Sequence, residues 1–441
     1  MESKKRGLNR RGFCGAAAAS VAALPLGLIS LTERATAMTE IAQQPGTDST
    51  AIRPFRVNVP AAELAELRRR VNATRWPDRE LVADDSQGVQ LATIQALARY
   101  WGTDYDWRKC EAKLNALPQF ITEIDALDIH FIHVRSKHDN ALPLIVTHGW
   151  PGSIIEQLKI IGPLTDPTAH GGNASDAFHL VIPSLPGYGF SAKPAATGWD
   201  PARIARAWVV LMKRLGYSQF VAQGGDWGAV VANVMAQQAP PELLGIHVNF
   251  PATITRAIGA ALSGAVHVDF SPDEQRAVAQ LRDLNAKHLS YYHMYATRPQ
   301  TMAGLADSPV GLAAWVLDHD GLSYALIARA FDGHEDGGLT RDDVLDNITL
   351  YWLTNTAVSS GRIFWETHFN ILGAANVSVP AAVSAFPDEI YQAPQSWTDQ
   401  AYHKLVYYNR PDKGGHYAAW TLPLLFSQEV RAGFRGLRQN A

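Results

Sequence analysis

The chain is poor in cysteine, with only Cys14 and Cys110. If Cys14 falls in a removed leader, no internal disulfide can form in the mature chain. Charge is also sparse: 18% of residues are Asp, Glu, Lys or Arg, and the formal net charge is −3. The missing basic surplus argues against a nucleic-acid partner. There is no internal repeat and no long low-complexity tract. The apolar run 16–31 contains Pro25 and Gly27 and is short for a membrane span. What remains is ordinary for a globular protein, with 47% hydrophobic residues over 441 positions. That length suffices for one large domain plus an accessory one.

The start reads as an export signal. Lys4-Lys5-Arg6 and Asn9-Arg10-Arg11-Gly12-Phe13 are basic, the apolar run follows, and Ala35-Thr36-Ala37 has the small-x-small form of a cleavage site. The arginine pair beside Phe13 resembles a twin-arginine signal, which exports folded proteins. Residues 1–37 are therefore expected to be a leader and 38–51 a polar linker containing Pro45-Gly46. No stable membrane span is expected after processing, and export would place the chain in the periplasm or outside the cell.

Periodicity divides the rest. Leu64, Leu67 and Val71 are spaced for one helix face, as are Leu91, Ile94, Leu97, Ala98 and Trp101. From Phe120 the period shortens, and His130 and His133 should point to opposite faces of a strand, which rules them out as a ligand pair. A fully buried strand is expected at Leu142–Thr147 and further strands at Phe178–Ile182, Phe220–Ala222 and Leu244–Phe250, with an amphipathic helix at Ile204–Leu215 between the second and third of these four. Strands alternating with helices predict a mostly parallel sheet flanked by helices, with ligands beyond the strands' carboxyl ends. Residues 251–346 break the rhythm, and Ser271-Pro272-Asp273-Glu274 has capping-box spacing, so an inserted helical cap is expected there. Alternation resumes near Val377 and closes with a helix after Pro423. The expected division is an N-terminal region at 52–140, mainly helical to about Leu117 and then a pair of strands, core at 141–250, cap at 251–346 and core again at 347–441.

The most informative run is Gly224-Gly225-Asp226-Trp227-Gly228, which has the Gly-x-nucleophile-x-Gly shape of a strand-to-helix elbow, with an acid where a serine is usual. A serine attacks acyl carbons. A carboxylate attacks an sp³ carbon bearing a leaving group or strained ring and leaves an ester on the protein. Such chemistry needs a base, an orienter for the base, and donors for developing negative charge. His416, on the glycine turn Lys413-Gly414-Gly415-His416 before the last helix, is placed to be the base. Asp388 and Glu389, in Phe386-Pro387-Asp388-Glu389, are both candidates for the orienter, and residue type does not choose between them. The donors are expected to be the backbone amides of Trp227 and of Trp150, the latter in His148-Gly149-Trp150-Pro151-Gly152-Ser153. A cis bond before Pro151 is compatible with that rigid turn. His334-Glu335-Asp336 lacks spacing that would converge ligands and is read as solvated, so no metal site is expected.

Taken together, these motifs resemble the microsomal-type epoxide hydrolases of the α/β-hydrolase superfamily, over nearly all of the chain after the leader. Arg75-Trp76-Pro77-Asp78, Asp307-Ser308-Pro309-Val310-Gly311-Leu312 and Tyr351-Trp352 extend the likeness. The resemblance implies Glu389 as the orienting acid, with Asp388 a bystander. It also implies two tyrosines that hydrogen-bond the epoxide oxygen. One matches Tyr291; the other falls on Phe364, in Ser359-Ser360-Gly361-Arg362-Ile363-Phe364-Trp365-Glu366, and so is absent. An unreplaced donor to a developing alkoxide would cost about 1.5–3 kcal/mol. Tyr292, Tyr295 or a water are the expected substitutes, with Phe364 and Tyr292 lining the substrate.

The implied activity is cofactor-independent conversion of an epoxide to a vicinal diol through an Asp226 ester, with a small-molecule epoxide and water as partners. A haloalkane dehalogenase also uses an aspartate but needs a halide cradle, and the N-terminal motif argues against it. A weakened, binding-only homologue is the other alternative. Substrate identity and assembly, a homodimer included, are not legible.

Overall fold

The computed structural model describes residues 50–334 and 337–440. The expected leader, nearly all of the linker, and Glu335-Asp336 lie outside the described residues.

Nine strands among the described residues form one sheet: β1 (Arg53–Pro54), β2 (Gln119–Ile124), β3 (Leu127–Val134), β4 (Leu142–Thr147), β5 (Phe178–Pro183), β6 (Phe220–Gly224), β7 (Leu243–Val248), β8 (Ala381–Ser384) and β9 (Leu405–Asn409). Their order is β1-β2-β3-β5-β4-β6-β7-β8-β9. The β1–β2, β2–β3 and β3–β5 pairs are antiparallel, and all pairs from β5 through β9 are parallel. β4 is apolar along its length because both faces are covered: Leu144, Ile145 and Val146 are fully buried. β5 lies on one side of β4 and β6 on the other, so the winding reverses there. The turns after β4 and β6 thus meet at a switch point, where sheets of this kind bind ligands.

Local chemistry sets the helix boundaries. The helix expected at Ile204–Leu215 starts earlier, at Pro201, because Asp200 caps it by accepting from the Arg203 amide at 2.8 Å and Pro201 suits the first turn. Ser271 and Glu274 form the anticipated capping box. The boundary drawn at residue 346 falls inside the helix Arg341–Leu353. A Thr340/Asp343 capping box starts this helix, and the chain turns only at Asn355, with φ 51°. The helical region runs on through Ala357–Glu366 to β8.

The helix Arg341–Leu353 links the N-terminal region to the switch point. On one side it meets the helices Leu91–Thr103 and Trp107–Asn115 and the turn between them: Trp101 Nε1 donates to Thr349 Oγ1 at 3.0 Å, Tyr105 OH to Asp346 Oδ1 at 2.9 Å and Tyr100 OH to Asp342 Oδ1 at 2.7 Å. On the other it holds the turn after β4. Asn347 Nδ2 donates to the Pro151 carbonyl at 2.8 Å, Ser153 Oγ to Asn347 Oδ1 at 2.6 Å and Tyr351 OH to the Gly152 carbonyl at 2.8 Å.

β6 ends in a very tight turn. A Cβ on Gly228 would lie 1.9 Å from the Thr147 carbonyl oxygen, and one on Gly224 would lie 2.1 Å from the Gly228 backbone. Gly228→Ala should therefore lower stability by about 3 kcal/mol or more in urea unfolding, since neither backbone can yield cheaply. A loss below about 1 kcal/mol would show that the turn can open.

Candidate active site

Asp226 starts the helix Asp226–Gln238 directly after β6 and sits at φ 47°, a left-handed conformation rare outside glycine. The turn lifts its carboxylate clear of the sheet towards the turn after β4. That turn contains a cis Trp150–Pro151 bond. Gly149 is required there by proximity, because a Cβ on it would lie 2.2 Å from Asp226 Oδ1. The Trp150 amide donates to Asp226 Oδ1 at 2.7 Å. The Trp227 amide lies in the helix's first turn, where amides have no intrahelical acceptor.

The other carboxylate oxygen faces a histidine. His416 Nε2 is 3.7 Å from Asp226 Oδ2, and His416 Nδ1 is 2.5 Å from Glu389 Oε1. Glu389 is buried, and it also accepts from the Ile390 amide at 2.9 Å and from Asn249 Nδ2 at 3.3 Å. Asp388 instead pairs with Gly414 and Gly415 through its backbone. Burial disfavours a charged His416, but the Glu389 carboxylate, helped by Asp226 and Asp320, outweighs it and raises the ring's pKa to about 10.

Aromatic rings close the site from the cap. Tyr291, on the helix Ser290–Thr297, is buried and stacks on Trp150 with centroids 4.7 Å apart. Burial, reinforced by the Asp226 carboxylate, pushes its phenol well above the usual range, so it stays protonated. Phe364 packs edge-on against Trp227 at 4.7 Å, Trp150 at 5.6 Å and Tyr291 at 6.1 Å. Half-buried Tyr292 contacts Phe364 at 5.5 Å. Tyr295 is not free to act as a donor here: its hydroxyl donates to the Ala357 carbonyl at 2.9 Å. All eight residues expected at the site thus converge on it.

Two further residues were not anticipated. His319, between the helices Pro309–Leu317 and Gly321–Phe331, is buried, and its ring centroid lies 4.6 Å from that of His416. Nothing in its spacing marks it; a lone histidine beyond Asp307-Ser308-Pro309 reads as structural. Asp226, His319 and His416 offer three atoms within 4.8 Å of one another, close enough for a cation. His416 would first have to give up the proton that Glu389 and Asp226 hold on it, which disfavours a metal there. Glu156, four residues past Gly152, is the second. Its carboxyl is buried, accepts from Gln157 Nε2 at 2.9 Å, and has its pKa raised to about 8 by burial.

Glu156, Gln223, Asp226, Asn249 and His416 line a chamber of about 20 Å³, room for one water. Gln157 and Gln223, which also line it, each have an Oε1 with no partner among the described residues. A larger cavity of about 510 Å³, walled by Val316, Leu317, Ile327 and Ile348, reaches His416 from the cap side.

The fold is that of an α/β-hydrolase, with an acid at the elbow after β6. Residues 52–157 match the family model "Epoxide hydrolase N terminus" and 143–294 match "alpha/beta hydrolase fold". The chain is 51% identical over 390 residues to a Stigmatella aurantiaca protein named "Putative epoxide hydrolase", covering 88% of this chain and 86% of that one. It is 36% identical to Epoxide hydrolase 1 of Sus scrofa, covering 89% and 90%. The crystal structure of juvenile hormone epoxide hydrolase from Bombyx mori superposes with a TM-score of 0.78 at 30% identity, covering 88% of this chain and 95% of that one. The chain belongs to the microsomal-type epoxide hydrolase family.

Glu156 makes stability depend on pH. Its folded pKa of about 8 exceeds its ordinary 4.5, so between these values the folded state holds more protons than the unfolded one. This group therefore lowers stability as pH rises through that window, with no further change above it. Glu156→Gln should match the native protein at pH 4.5 and exceed it increasingly up to about pH 8 in urea unfolding. A constant difference across that range would refute the assignment.

Proposed function

We propose that this chain hydrolyses an epoxide to a vicinal diol through an ester on Asp226. One observation carries the reading: the two oxygens of a single carboxylate have different surroundings, Oδ1 on the Trp150 amide at 2.7 Å and Oδ2 3.7 Å from His416 Nε2.

In the first step Oδ2 attacks an epoxide carbon. The carbon–oxygen bond of the ring breaks, its electron pair passes to the oxygen, and Tyr291 hydrogen-bonds that oxygen and gives or shares a proton with it. The ester carbonyl is Oδ1, already held by the Trp150 amide and near the unused Trp227 amide. Esterification also removes the negative charge of Asp226, one of those that keep His416 cationic. The ring's hold on its proton weakens; that proton replaces the one the ring-opening donor gave to the oxygen, and the neutral ring becomes available as a base.

In the second step His416, oriented by Glu389, takes a proton from water as the hydroxide adds to the Asp226 carbonyl carbon. The tetrahedral oxyanion rests on the Trp150 and Trp227 amides. Its collapse expels the diol oxygen, which takes the remaining water proton, and Asp226 returns as a carboxylate. The small chamber lies where that water is needed, and His416 lines both it and the larger, mainly apolar cavity. These groups complete the cycle without drawing on a cofactor.

Single turnover in ¹⁸O-water should put label into Asp226 and none into the diol. His416→Ala should accumulate the ester, visible by mass spectrometry as Asp226 plus the epoxide mass. Label found only in the diol, with Asp226 untouched, would overturn the reading.

We also infer export through a twin-arginine-type signal, supported by the arginine pair and the apolar run that follows it. Residues 1–37 fused to a folded reporter should carry it out of the cytoplasm, and replacing Arg10 and Arg11 with lysine should stop this. Export that survives the replacement would contradict it. A homodimer belongs to the same expectation and is open to sedimentation equilibrium.

A further inference from the structure

Phe364 leaves the opening epoxide with one phenol, yet the site contains another polar group facing it. His319 Nδ1 lies 2.8 Å from Asp320 Oδ2. Asp320 Oδ1 also accepts from the Ser323 amide at 2.8 Å, so the ring's partner is fixed. That pairing puts a hydrogen on Nδ1. His319 Nε2 is buried and has no partner among the described residues. A ring nitrogen of His319 lies within 4.8 Å of both an Asp226 carboxylate oxygen and a His416 nitrogen. The ring stacks between Tyr291 (centroids 5.1 Å) and His416 (4.6 Å).

We propose that His319, oriented by Asp320, is the second donor to the epoxide oxygen, taking the place of the phenol that Phe364 lacks. This rests on the function proposed above. Charge supports it. Asp226, Glu389 and Asp320 present three carboxylates to two imidazoles, and the donor role requires a hydrogen on the unpartnered Nε2 of His319 as well as on Nδ1. Asp320 stays ionised: the hydrogen bond from His319 and the nearby imidazoles overcome its burial. A protonated imidazole is a stronger acid than a buried phenol. Oδ2–carbon bond formation and ring opening therefore proceed as the oxygen accepts the Nε2 proton, with Tyr291 hydrogen-bonding beside it. His319 is left neutral, keeping its Nδ1 hydrogen on Asp320. One proton then passes from His416 to His319, which restores the donor and frees His416 to act on water, so the protons balance over the cycle.

The test follows ester formation on Asp226 in single turnovers of styrene oxide, read by quenching of tryptophan fluorescence and by mass spectrometry. His319→Phe retains a stacked ring without a donor and should slow ester formation ten- to a hundredfold. His319→Gln retains an N–H to hydrogen-bond the oxygen but no proton to give, and should fall between the native rate and that of His319→Phe. Phe364→Tyr should restore His319→Phe by at least tenfold, a larger gain than it gives in the native background. Ester formation by His319→Phe within threefold of native, or an equal effect of Phe364→Tyr in both backgrounds, would overturn the proposal. A native protein that forms no ester would instead sink the proposed function itself, before the variants are compared.

Discussion

The site depends on one constraint, a carboxylate held by unlike partners. Asp226 is forced into a left-handed turn, and the Trp150 amide takes one of its oxygens while the other faces His416. Glu389 keeps the imidazole both oriented and cationic. Each partner comes from a different strand end, so the arrangement exists only where β4, β6, β8 and β9 finish together. Gly224 and Gly228 let the neighbouring backbone pack closely around the turn that holds Asp226 in that conformation.

The turn after β4 is held in place by elements outside the core. Asn347, Tyr351 and Ser153 fix it to the helix Arg341–Leu353, and Tyr100, Trp101 and Tyr105 fix that helix to the N-terminal region. The N-terminal helices therefore brace the helix that holds the turn carrying the Trp150 amide. This gives a physical reason for that region to accompany the hydrolase core as one unit.

Much of this was legible in the sequence because it rests on short-range rules. The period-two and period-3.6 patterns placed the strands and most helices, and the glycines around Asp226 announced a turn only they can make. Glu389 needed the family likeness, since Asp388 has the same chemistry one residue away and only the course of the backbone separates them. His319 and Glu156 were not legible. Each looks like an ordinary polar residue in its own segment and gains meaning from neighbours far along the chain, His416 in one case and the Asp226 turn in the other. Phe364 was recognised as a departure, but what stands near it could not be read from one dimension.

The unequal holding of the Asp226 oxygens has a further consequence. If Oδ2 is the atom handed to each product, solvent replaces it at every cycle, while Oδ1, gripped by the Trp150 amide, remains. Half of the carboxylate is a consumable and half a permanent fixture. The working protein would be continually rebuilt at a single atom, and only a rotation of the side chain that broke the Trp150 contact could exchange the two roles.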